Sequence, residues 1–157
     1  DLRVHRWPPD WRHARSQRPA PRALHRDGKA LGLPSVSIAK LKEVLTAGLE
    51  AVAIAKKCGV KIGHGSDLLG QQQCHQSEEF LIKGEVLTPY EVLTAATKTN
   101  AELLGRSHDL GILTPGALAD LLIVEGNPLA NLSVLAYPDR HLRAILQNGR
   151  FIKNLQT

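Results

Sequence analysis

The sequence predicts an α/β chain whose last fifty or so residues turn to β structure. Three observations carry this. An amphipathic segment over 37–58 runs straight into a short apolar strand at 60–62. A second, strongly signalled helix spans 89–104. After Gly105 the helical period is lost and the chain ends in an Asn-Gly hairpin.

In the first helix, Ile38, Leu41, Leu45, Leu49 and Val52 recur at helical spacing, with Ser37 as the expected N-cap. Lys56 and Lys57 suit the negative end of the helix dipole, and Gly59 stops it. Val60-Lys61-Ile62 then reads as a buried strand ending in the turn Gly63-His64-Gly65-Ser66-Asp67. A polar loop is expected from Gly70 to Glu79, followed by a short helix near Ser77–Lys83. Thr88-Pro89-Tyr90-Glu91 is a capping box with proline at the first helical position. It opens the second helix, whose apolar face holds Val92, Ala95, Ala96 and Leu103. Beyond it, 110–112 and 120–124 read as strands. Segments 143–147 and 150–153 flank Asn148-Gly149, the preferred pair for a two-residue type I′ turn.

Composition narrows the function. The hydrophobic fraction is 43% and aromatics only 4%, so the core is aliphatic and the chain is globular. The net charge of +5 sits wholly in residues 1–29, where eight Lys/Arg face three Asp. The remainder is neutral and gives no basic footprint for nucleic acid. Residues 1–22 contain both Trp, four of the nine Pro and six Arg, with no period. They read as a disordered basic arm, as an arm for nucleic acid or an acidic partner, or as text from a shifted frame or a wrong start. Cys58 and Cys74 form no metal-type spacing and read as thiols of a reducing compartment, hence a cytoplasmic location. No apolar run reaches the roughly 18 residues of a membrane span, and no signal peptide is visible.

The chemistry-bearing residues cluster after the strand at 60–62. Asp67 lies where ligands gather in parallel α/β folds, at a strand's C-terminal end. A carboxylate there can bind a metal or accept a proton from metal-bound water; the plain alternative is that it caps the following turn. His64 shares the turn, as a substrate contact or a loop histidine with no role. His75 lies in the loop expected over the same end, to bind a substrate carboxylate or carbonyl or merely to be solvated. Glu78 and Glu79 read as first-turn helix acids. HExxH, GxSxG and P-loop motifs are absent.

From Leu110 to Val124 the text runs Leu-Gly-Ile-Leu-Thr-Pro-Gly-Ala-Leu-Ala-Asp-Leu-Leu-Ile-Val, followed by Asn127-Pro128-Leu129. This closely resembles the C-terminal signature of the metal-dependent amidohydrolase superfamily. Ile145 to Lys153, with Asn148-Gly149-Arg150, resembles the family's closing strands. Val60 to Asp67 resembles the eighth barrel strand with its metal-site aspartate. Together with His75-Gln76-Ser77-Glu78-Glu79-Phe80 and Glu102-Leu103-Leu104-Gly105, it points to the imidazolonepropionase-like branch, often labelled Xaa-Pro dipeptidase. The resemblance covers about 23–157. It implies the last βα units of a (β/α)8 barrel over 23–108 and β-sandwich strands over 109–157.

The same resemblance implies hydrolysis of an amide or dipeptide-like C–N bond at a divalent metal, zinc. In it, Asp67 ligates the metal, takes a proton from the attacking hydroxide and passes it to the leaving nitrogen. His64 and His75 are the candidate substrate-binding residues. The expected partner is a small amide substrate, with no nucleic acid or membrane and with self-association into a homo-oligomer left open. A complete barrel typically needs about 250 residues, and this chain has 157. The family's first-strand His-x-His, strand-four lysine and later histidines have no counterpart here. The expectation is therefore a C-terminal portion that is inactive alone and does not retain the metal. The alternative is a non-catalytic truncated product, or a fragment that depends on a partner.

Overall fold

The structure, a computed structural model, describes residues 35–155. The chain divides into two compact units, Asp1–Leu45 and Thr46–Thr157. Of the first, the described part is helical. The arm at 1–22 lies outside the described residues.

Helix α1 spans Ser35–Lys57 and, as expected, ends on Lys56 and Lys57. Ser37 is already inside the helix rather than capping it, a boundary difference of two residues. Gly59 follows with a φ of 68°, the left-handed stop expected from the sequence.

The segment 60–62 has no regular secondary structure and is not a strand, and Val60 is 57% exposed. A strand is defined by a backbone partner, and no described segment offers one beside it. The expected polar loop is instead a 3-10 helix over Gly70–Glu78, leading into the short α2, Glu79–Lys83. Next come α3 (Pro89–Thr94), a π-helical turn over Ala95–Thr99, and α4 (Asn100–Leu103). The capping box is formed: the Glu91 N–H donates to Thr88 Oγ1, and the Thr88 N–H donates to Glu91 Oε2. The expected strand at 110–112 is a bend. Gly111 has a φ of 71° and packs so closely on the Thr97 carbonyl that a Cβ would lie 2.6 Å from its oxygen.

The β unit is a three-stranded antiparallel sheet in the order β1-β2-β3. Its strands are β1 (Leu121–Val124), β2 (Leu142–Gln147) and β3 (Arg150–Asn154). Leu121 pairs with Leu146 and Gln147 with Arg150, with one register shift on each side of the central strand. Asn148 and Gly149 have φ of 50° and 74°, as a type I′ turn requires. Between β1 and β2 lie α5 (Ser133–Ala136) and α6 (Pro138–His141), which the sequence reading did not foresee.

Two apolar clusters hold the second unit together. Leu87, Val92 and Leu132 form one, and Val134, Leu135 and Leu142 form the other. Phe80 and Leu93 pack against both, so α2 and α3 join the helical part to the sheet.

Candidate functional site

The turn Gly63–Asp67 has no strand partner among the described residues, and side chains take four of its backbone groups. The His64 N–H donates to Asn100 Oδ1 at 2.9 Å, and Asn100 Nδ2 donates to the His64 carbonyl at 2.7 Å. The Gly65 N–H donates to Glu79 Oε1 at 3.2 Å, and Lys83 Nζ donates to the Gly63 carbonyl at 2.5 Å. Glu79 and Lys83 also pair with each other at 2.7 Å, with side chains only 10% and 11% exposed. A buried pair stripped of one member typically costs about 3–5 kcal/mol, so each charge needs the other. Gly63 is dictated by this approach: a Cβ there would lie 2.7 Å from Leu103 Cδ1 and 2.9 Å from Asn100 Oδ1.

His64 is half-buried, its ring centroid 4.4 Å from that of Phe80 with planes 34° apart. Burial pushes its pKa below the ordinary value; the Glu79 carboxylate opposes this and the Lys83 ammonium adds to it. The ring is thus neutral near pH 7, and its buried Nδ1 meets no hydrogen-bond partner among the described residues. His75 lies on the 3-10 helix with Nδ1 2.7 Å from Glu78 Oε1. This contact orients the His75 ring.

Asp67 is exposed and holds a left-handed φ of 49°, a conformation that aspartate tolerates better than most side chains. The capping alternative is not realised. Leu69 is the N-cap of the following helix, and no side chain caps it. Glu79 does stand in the first turn of α2, but its carboxylate is spent on Gly65 and Lys83. Glu78 is spent on His75.

Sequence reasoning missed Lys83 and Asn100. A Glu-to-Lys spacing of four was visible at 79 and 83, a known helical pair, but nothing local marked it as buried. Asn100 is 36 residues from His64, and its helix carries a π turn that no periodicity announces.

Among the described residues no group of three or more His, Cys, Asp or Glu side chains is placed to hold a metal ion. The donors among the described residues do not by themselves make a complete metal centre. No helix of the described residues is long and apolar enough to cross a membrane. No disulfide forms among them; Cys58 is exposed and Cys74 is half-buried.

Residues 15–150 match the model of the Amidohydrolase family. A solved amidohydrolase is 45% identical with a TM-score of 0.75, over 87% of this chain and 33% of its own. A solved Xaa-Pro dipeptidase with bound methionine is 28% identical with a TM-score of 0.67, over 78% of this chain and 29% of its own. The ochratoxinase of Aspergillus niger is 30% identical over 78% of this chain and 25% of its own. The imidazolonepropionase of Geobacillus thermodenitrificans is 35% identical over 43% of this chain and 16% of its own. The chain spans between a sixth and a third of the length of these proteins. Both labels of the branch named from the sequence thus occur among its relatives.

Proposed function

The chain belongs to the amidohydrolase family, and from that premise we propose that it is the C-terminal portion of a metal-dependent hydrolase of C–N bonds. Residues 23–108 are the last βα units of its barrel, and 109–157 are strands of its β-sandwich. The substrate is a small amide or dipeptide-like molecule, and the enzyme is cytoplasmic. The observation that carries this reading is the turn at 63–67, fixed by Asn100 and the buried Lys83 and presenting an exposed aspartate.

Asp67 is the carboxylate that this chain contributes to a divalent-metal centre, with zinc as the metal. Its catalytic task is to take a proton from the attacking water and return it to the leaving nitrogen. His75 is the contact for a substrate carboxylate or carbonyl, its ring oriented by Glu78. His64 is the second contact, neutral and with one ring nitrogen unpartnered among the described residues.

With the donor set incomplete among the described residues, the purified 157-residue chain should hold no stoichiometric zinc and turn over no dipeptide or amide. Elemental analysis and an amidase assay check this. Stoichiometric zinc with turnover would overturn the claim that the chain is only a portion, while upholding the chemistry. A second reading, a truncated product with no catalytic life, draws on the large apolar side chains left in solvent, Leu69 at 78% and Leu113 at 81% among them.

A further inference from the structure

We propose that Asn100 is a positioning residue that stands in for a β-strand neighbour of His64 and, with the Glu79–Lys83 pair, aims Asp67. The inference rests on the reading of Asp67 given above and adds to it the means by which that residue is held.

The geometry has three parts. The Asn100 amide gives His64 both an acceptor and a donor, at 2.9 Å and 2.7 Å. An adjacent strand satisfies a residue in the same way, by exchanging an N–H and a C=O. The Glu79–Lys83 pair takes the flanking groups, the Gly65 N–H and the Gly63 carbonyl. Three consecutive residues are therefore fixed from two helices, with no strand beside them among the described residues, only two positions before Asp67. Gly63 leaves no room for a side chain between this backbone and Asn100.

The π turn Ala95–Thr99 ends immediately before Asn100. A π turn adds a residue to the helical repeat and so rotates the next turn of helix about the axis, a distortion frequent at functional sites. Here it determines the direction from which Asn100 meets His64.

The test is nuclear magnetic resonance on the full chain, read at His64 and Asp67. Asn100→Ala should speed amide exchange at His64 by about 10-fold or more, the scale of one lost hydrogen bond. Protection of the sheet amides over Leu142–Gln147 should be unchanged. The backbone carbon shifts of Asp67 should leave their left-handed values. Asn100→Asp keeps an acceptor and loses the donor, so its His64 amide should exchange more slowly than in Asn100→Ala. This second variant is decisive if Asn100→Ala also loosens the sheet. Equal exchange at His64 in the two variants, or Asp67 shifts unmoved in Asn100→Ala, overturns the proposal.

The role of Asp67 is read separately. Millimolar Mn2+ should broaden the Asp67 signals of the unsubstituted chain, and Asp67→Asn should abolish this. Absence of broadening would remove the ligand reading alone, because exchange and carbon shifts decide the positioning role without metal.

Discussion

At the scale of single residues, the Thr88–Glu91 box acquires a pH dependence from a third partner. Lys56, hydrogen-bonded to Glu91 at 2.8 Å, and the bonds from Thr88 hold the Glu91 carboxyl at about 2, against an ordinary 4.5. A depressed folded value means that the contribution to stability is complete above about pH 4.5 and is lost as pH falls toward 2. Glu91→Gln should flatten that part of the stability profile, and denaturant melts at several pH values will show it. The ion pair is partly exposed, so the loss at pH 7 should stay near the ~1 kcal/mol typical of a helix cap. This box was legible in the sequence because its members are three residues apart. Asp67 was legible as a candidate for a similar reason, standing in a glycine-punctuated turn. The grip of Asn100 on His64 was not, because both its partners look ordinary until the fold brings them together.

At the scale of elements, the sequence reading succeeded where local rules suffice and failed where a partner decides. The capped helix, the Asn-Gly turn and the strands beside it came through because caps and turn types are local chemistry. The segments 60–62 and 110–112 have strand-like composition, but composition supplies no backbone partner, and neither is a strand. The polar run at 70–78 is helical despite its lack of an apolar period. Gly111 shows the packing that the reading could not see. Gly111→Ala would force a methyl onto the Thr97 carbonyl in a left-handed backbone, and should cost more than about 2 kcal/mol. Gly105→Ala, with a φ of 67° and open space around it, should cost only about 1 kcal/mol. Urea melts of the two variants compare them directly.

At the scale of the molecule, the apolar exposure is unusual in its extent. Val60, Leu69, Leu103, Leu104 and Leu113 are each more than half exposed, as are Phe151 and Ile152 on the sheet. Single exposed leucines are normal, but a chain with this many is prone to associate. Light scattering of the purified chain should therefore show species larger than a monomer, growing with concentration; a monodisperse monomer at all concentrations would contradict this. The order of the chain adds a further consequence. Glu79, Lys83 and Asn100, which fix the turn at 63–65, all come after it in sequence, Asn100 by 36 residues. At a synthesis rate of about 5–20 residues per second, the turn waits roughly 2–7 s on the ribosome before its last anchor exists. The turn that carries Asp67 is thus made early and set late, exposed to whatever the nascent chain meets in between.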